Sequence, residues 1–422
     1  MIELLKRKEC WALFEKSLKL LSTFILIFFI SPRVEESSVG LFFLIESSLY
    51  IIIIIIYFGT DSIANKFFVD YPYVNVFQYL IKLRFLILSL VIFILFIIFI
   101  LYDFNLNSGV ILTGLTFLFF IPMNIYEQYS YYKGEYLATY KFKSLLIVMS
   151  IFIRIIGFNS YYFIELMILT LFLETIPISL LYTLKYKSNA IINYSQDLSK
   201  EQKINLMKNA VPAFFASISI LIYSRIDQYM LALISEINDV AKYGILVKLS
   251  DSFVFIPVLI GSLYLPKAYK NNFSREFTID YFRLVLILAM LSTFCSIIIY
   301  IIYSFYNKDS SLDVNSILIY QFSILLNFIG TTISQFQVYS GKGMSRLIRI
   351  IVGMILNVFF NFLLIENYGV LGCIISTVLA LFISNIVFLL FTRDRNYIFD
   401  FVYASRTIFK FSFYNVNRTD HV

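Results

Sequence analysis

Histidine is almost missing from this sequence: His421, one residue from the C-terminus, is the only one. Chemistry that depends on a buried imidazole, whether a Ser-His-Asp triad or a histidine metal site, is therefore not expected. Cysteine is nearly as scarce. Cys10, Cys295 and Cys373 are odd in number and follow no ligand spacing, so they point to neither a disulfide framework nor a zinc cluster. No G-x-G-x-x-G and no Walker sequence is present, so the chain is not expected to hydrolyse ATP, and no cofactor or metal is expected. Charge is the most telling shortage. Only 14% of the 422 residues are charged, whereas a soluble domain carries roughly a quarter. So few charges cannot clothe a water-facing surface.

What is present instead is hydrocarbon. The chain is 60% hydrophobic, with a mean hydropathy of +0.82. A bilayer core of about 30 Å takes about 20 mostly apolar residues per helix. Twelve segments qualify: 12–31, 39–58, 82–102, 109–127, 142–159, 161–184, 210–234, 240–265, 282–304, 315–338, 346–365 and 369–391. The purest is Phe85 to Leu101, whose one polar residue is Ser89; the first carries Glu15, Lys16 and Lys19, and the fifth carries Arg154. Only helices or closed barrels satisfy the backbone in lipid, and these runs do not alternate as barrel strands would. The expected fold class is all-α, a polytopic membrane protein of about twelve transmembrane helices. The basic patch Lys6, Arg7, Lys8 before the first apolar run resembles a signal peptide. No small-x-small cleavage site follows, so this run reads as a retained helix.

The net charge of +7 does not indicate nucleic acid, because the basic residues cluster between spans and form no polar face. Their distribution sets orientation. With the N-terminus in the cytoplasm, twenty-eight of the 34 lysines and arginines fall on the cytoplasmic side. Arg33, Lys242 and Lys308 fall on the other, and Arg154, Arg225 and Lys248 lie within spans. This asymmetry places both termini in the cytoplasm. On that topology the Asn193-Tyr194-Ser195 and Asn272-Phe273-Ser274 sequons are cytoplasmic and are not glycosylation sites. The polar, lysine-rich stretch 185–209 divides the spans six against six. Expected units are an N-terminal six-helix lobe (1–184), a cytoplasmic linker (185–209), a C-terminal six-helix lobe (210–391) and a basic and aromatic cytoplasmic tail (392–422). An offset of 204 residues aligns Ile30–Ser47 with Ile234–Asp251 and matches Ile, Ser and Gly at equivalent points of the topology. Six helices per half would give a duplication about an axis along the membrane normal, an architecture common in transporters. The tail reads equally as an interfacial helix near anionic lipid or as a frayed end.

Ionisable groups inside spans are costly and are candidates for function. They are Glu46, Arg154, Glu165, Glu174, Arg225, Asp227, Lys248 and Asp251. Depth within the hairpin of the seventh and eighth spans suggests the pairs Arg225–Asp251 and Asp227–Lys248, and Arg154 stands level with Glu165 across another turn. Simple pairing would neutralise all of them. Alternatively they line a wet cavity and meet an anionic head group, with Arg154, Arg225 and Lys248 drawing in the anion and Asp227 and Asp251 holding the cations when it is empty. Gln321, Asn327, Thr331, Thr332, Gln335, Asn357 and Asn361 crowd the tenth and eleventh spans. Asn357 and Asn361 share a helix face. Such groups serve as interhelical glue or, alternatively, as a lining that faces sugars.

Around the seventh and eighth spans the sequence takes on a family likeness. Val211-Pro212, Tyr223 through Leu231 (YSRIDQYML), Tyr243-Gly244, Lys248-Leu249, Ile256-Pro257 and Pro266 come in a familiar order. Gly40, Gly59-Thr60-Asp61, Asn357, Asn361, Tyr368, Gly369 and Gly372 extend the match over nearly the whole chain. In these features it resembles the polysaccharide flippases of the multidrug/oligosaccharidyl-lipid/polysaccharide exporter superfamily, most of all bacterial O-antigen flippases. The resemblance implies two six-helix lobes in a V shape, alternating access, and a location in the bacterial inner membrane. It also implies an undecaprenyl-pyrophosphate-linked oligosaccharide as cargo, moved from the inner to the outer leaflet. A polysaccharide polymerase and a chain-length regulator would be partners in the same biosynthesis, alongside membrane lipids. Two rival readings compete with it. A multidrug exporter would share the fold. An O-antigen polymerase, an enzyme, would need a large outer loop, and the outer loops here are all short.

Overall fold

A computed structural model describes residues 8–102, 108–175, 198–270, 275–306 and 314–408. Sequons Asn193 and Asn272, residue His421 and the end of the expected sixth span lie outside the described residues. Among the described residues the chain is helical, with no strand. The first helices are α1 (Lys8–Phe24, continued by a π-helical turn over Ile25–Ile30), α2 (Glu36–Tyr57), α3 (Thr60–Asp70) and α4 (Tyr73–Tyr102). Next come α5 (Ser108–Phe120), α6 (Ile125–Tyr132), α7 (Tyr136–Gly157) and α8 (Phe163–Thr175). The remainder are α9 (Lys200–Ile234), α10 (Ile237–Lys270), α11 (Arg275–Tyr306), α12 (Val314–Tyr339), α13 (Gly343–Phe382) and α14 (Arg395–Arg406).

Among the described residues each expected span has a helix beneath it. Eight stretches are long and apolar enough to cross a membrane, and the last of them, Gly343–Leu390, runs 48 residues. That is too long for one crossing, and the chain breaks it at Gly369, whose φ of 51° and ψ of −126° are not helical. Only glycine takes such a conformation at little cost, so the expected boundary between the eleventh and twelfth spans falls on this residue. The three expected spans outside those eight are α1, α7 and α8: the first two carry the charges noted above, and the third runs out of the described residues. Lipid as the surrounding solvent explains α4, which leaves Leu86, Leu90, Phe93, Ile94, Phe96, Ile100 and Leu101 exposed. The protein is a multi-pass membrane protein.

Helix α3 was not expected. It occupies the loop after the second span, and its apolar side (Ala64, Phe67, Phe68) packs with Val76, Phe77, Leu80 and Tyr129. The polar linker likewise ends sooner than expected. Ser199 and Gln202 cap each other reciprocally, Gln202 N donating to Ser199 Oγ at 3.2 Å and Ser199 N to Gln202 Oε1 at 2.9 Å. This capping box starts α9 about ten residues before the apolar run does.

The chain forms two compact units, Met1–Leu221 and Ile222–Val422. Their boundary lies within α9, because Leu206 and Ala210 belong to the first unit's core with α3 and α4. In the second unit the core gathers Phe282, Val285, Ile324, Phe328 and Phe336. The first part of the expected tail is no frayed end. Helix α14 buries Ile398, Phe401 and Ala404 in that core, with Phe401 stacked on Phe282 at 3.9 Å between ring centroids.

Candidate functional site

In the first unit, Arg154 near the end of α7 is 5% exposed and fully engaged. Its Nη2 lies 3.2 Å from Glu174 Oε1. Its Nε donates to Thr170 Oγ1 at 2.9 Å and its Nη1 to Ser22 Oγ at 2.6 Å. Ser150 Oγ donates to Glu174 at 2.7 Å and closes the group. The expected partner, Glu165, is therefore wrong. Equal distance from the turn is the wrong criterion for so long a side chain. Helical side chains lean toward their own N-terminus, so Arg154 projects down α7 away from the turn, to the level of Ser150. Glu174, leaning the opposite way on antiparallel α8, meets it there.

The same unit buries a second arginine that the sequence placed at a loop edge. Arg84 is among the largest fully buried side chains; its Nε donates to Thr60 Oγ1 at 2.9 Å, and its guanidinium sits 4.6 Å from the centre of the Tyr57 ring. Tyr57 in turn accepts from Asn124 Nδ2 at 2.6 Å. Glu127 and Lys143 form a further buried pair. Of these residues only Thr60 belongs to a motif of the family likeness, Gly59-Thr60-Asp61.

The second unit separates its four expected charges into an open pair and a sealed centre. Arg225 Nη2 lies 3.7 Å from Asp251 Oδ2, as depth suggested. The Asp251 side chain is 47% exposed, and Lys248, one turn earlier on α10, is half-buried. Asp227 is different. Its partners are neutral: Tyr243 Oη and Thr377 Oγ1 donate to Oδ2, the latter at 2.8 Å, and Asn361 Nδ2 donates to Oδ1 at 2.6 Å. The expected Asp227–Lys248 pair does not form. Residues 225 and 227 lie two apart on α9, so their side chains leave it in widely separated directions, and only Arg225 meets the carboxylate of α10.

Asn357 and Asn361 fall together as their spacing required, with Asn361 Nδ2 3.2 Å from Asn357 Oδ1. Both are fully buried, so in this conformation they hold Asp227 and present nothing to a sugar. Tyr243 and Thr377 complete the centre and were not singled out for it. In the sequence Tyr243 stands out only as half of a Tyr-Gly motif. Thr377 lies eight residues past the Gly369 break, and only tertiary packing brings it to α9.

A buried carboxylate without a counter-charge is costly. The oxygens of Asp227, Asn357, Thr377 and Tyr243 are the hard donors that a small cation takes, and a proton on Asp227 would neutralise it equally. No group of three or more His, Cys, Asp or Glu residues able to hold a metal occurs among the described residues. Nearer the start of α13, Arg349 is buried too, donating to Gly330 O at 3.0 Å and to Asn385 and Ser334.

No family model matches the sequence, and no curated protein sequence matches it. Solved structures do. Over 96% of this chain and 91% of the other, the fold is similar to that of the lipid II flippase MurJ in an inward closed conformation, with a TM-score of 0.71 and 14% identity. It is similar as well to a multidrug resistance MATE family transporter of the MOP superfamily. The outward-facing conformation gives a TM-score of 0.62 at 15% identity and the inward-facing one 0.60 at 13%, each covering 96% of both chains. The chain has the fold of these transporters.

Proposed function

We propose that the protein is a flippase that carries an undecaprenyl-pyrophosphate-linked oligosaccharide, an O-antigen or related repeat unit, from the inner to the outer leaflet of the bacterial cytoplasmic membrane by alternating access. The observation that carries this reading is the open ion pair on α9 and α10. An arginine and an aspartate 3.7 Å apart, deep in apolar helices with a lysine one turn away, form a group that an anion can enter by displacing Asp251. A pyrophosphate cannot enter hydrocarbon unaided, whereas Arg225 and Lys248 can replace its water. The likeness to a lipid II flippase over nearly the full chain supports a lipid-linked cargo. In this reading Arg225 and Lys248 bind the phosphates, and Arg154 is a further candidate for cargo binding, within the first unit. The Asp227 centre, with Asn357 and Asn361, takes up the proton or small cation that drives the cycle. Both termini face the cytoplasm, and the polymerase and chain-length regulator act on the delivered cargo.

The test is flipping by purified protein in proteoliposomes, using a fluorescent polyprenyl-pyrophosphate oligosaccharide and a membrane-impermeant quencher. Wild type makes the inner-leaflet probe accessible, and an Arg225→Ala, Lys248→Ala double variant that inserts normally does not. Equal flipping by both removes these residues from the site. The likeness to MATE transporters favours one alternative, multidrug export. Drug resistance conferred on a susceptible host, with no flipping of the lipid probe, would select it.

A further inference from the structure

The end of the last apolar stretch combines charge and grease in a way that neither water nor the protein interior explains. Leu390 closes that stretch, so the residues after it stand at a membrane–water boundary. There Leu390, Phe391, Thr392, Arg393, Arg395 and Asn396 line an open groove of about 630 Å³. Phe391 is 86% exposed. Arg393 and Arg395 are exposed, and among the described residues neither side chain is in an ion pair or a hydrogen bond, Arg395 bonding only through its backbone N to Thr392 O. Their neighbour Asp394 is turned inward, accepting from Gln337 Nε2 at 2.8 Å and Lys342 Nζ at 2.6 Å. That contact pins the turn to the end of α12 and leaves both arginines facing out.

Helix α14 extends the pattern. Its buried face (Ile398, Phe401, Ala404) is satisfied by the core. The opposite face carries Phe399, Val402 and Tyr403, all exposed, between Arg395 and Arg406. A face toward water has no use for three large apolar side chains. A face at a lipid head-group layer needs this mixture: aromatic rings at the boundary and arginines at the level of the phosphates.

We infer that this groove is a binding site for one anionic membrane phospholipid. Arg393 and Arg395 hold the headgroup phosphate, Thr392 and Asn396 supply neutral hydrogen bonds, and an acyl chain lies along Leu390 and Phe391. The remaining exposed face of α14 rests on the same leaflet. The inference depends on the proposed orientation only for which leaflet supplies the lipid, and not on the cargo.

Native mass spectrometry of the full chain in detergent, titrated with phosphatidylglycerol or phosphatidylcholine, tests it directly. Wild type should retain phosphatidylglycerol in preference. An Arg393→Gln, Arg395→Gln variant should bind it about 25-fold more weakly, equivalent to about 2 kcal/mol at 1.4 kcal/mol per tenfold, with phosphatidylcholine unaffected. An Arg393→Gln single variant should lose about fivefold, which keeps the test decisive if the double variant proves unstable. Arg33→Gln should change nothing. Equal phosphatidylglycerol affinity in wild type and the arginine variants overturns the site, as does a lack of preference in wild type. Complete displacement by inorganic phosphate would show a soluble-anion site and would overturn the lipid assignment.

Discussion

Arg154 offers the sharpest division between holding the fold and handling cargo. Replacing it with methionine keeps most of the volume and strands Glu174 with Ser150 as its remaining donor. At 3.2 Å the attraction is about 5 kcal/mol for an effective dielectric of about 20. Desolvation offsets part of this, and removing one partner of a buried pair typically costs about 3–5 kcal/mol. Arg154→Met should therefore lower stability by about 3–4 kcal/mol, with Thr170 and Ser22 also losing a donor. The double variant Arg154→Met, Glu174→Gln removes both charges. It should cost only about 1–2 kcal/mol, the scale of the hydrogen bonds lost, so about 2 kcal/mol less than Arg154→Met alone. The assay is a double-mutant cycle on thermal unfolding in detergent, followed by flipping in proteoliposomes. Recovery of both stability and flipping in the double variant would make Arg154 purely structural. Recovery of stability without flipping is the outcome the proposed function requires. Additive single-variant costs would refute the pairing argument itself, since independent sites show no coupling.

Three further outcomes are expected. Gly59→Ala should be severe, about 2–5 kcal/mol, because its Cβ would lie 2.3 Å from Ala210 O and 2.5 Å from Phe214 N at a φ of 70°; Gly341→Ala, at a φ of 72° with nothing within 4 Å, should cost only about 1–2 kcal/mol, and equal melting temperatures would contradict this packing. Asp227→Asn should fold and insert yet lose the dependence of flipping on an imposed proton or sodium gradient, measured by varying each in proteoliposomes; unchanged gradient dependence would remove Asp227 from coupling. Reporter fusions active only outside the cytoplasm should work at Glu236 and fail at Lys133 and Lys342, and activity at Lys342 would reverse the proposed orientation.

Much of the fold was legible because the bilayer imposes a length and a composition on each crossing. Among the described residues every expected span coincides with a helix, and even the break at Gly369 fell at the expected boundary. Elements that never cross were harder to read. Helix α3 and the first turns of α9 are set by one-sided packing and by a capping box, signals too short to stand out beside long apolar runs. The start of the tail was misleading for a related reason: its alternation of aromatic and basic residues suggests an interfacial helix or a frayed end, and its docking on the core shows only when Phe282 is placed under Phe401.

The charged candidates divide along the same line. That Arg154, Arg225, Asp227, Lys248 and Asp251 lie within spans follows from the sequence alone, because each is flanked by apolar residues. Their partners do not follow, because a partner depends on side-chain direction and on helices far away in the chain. Arg154 passes over Glu165 for Glu174 because arginine reaches back along its own helix. Asp227 is enclosed by Tyr243, Asn361 and Thr377, up to 150 residues away, which no local spacing encodes. Composition determined that the chain lives in a membrane, crosses it many times and carries charge inside. Only the packing of the helices decided which of those charges are closed off, as Asp227 is, and which stay exposed, as Asp251 does.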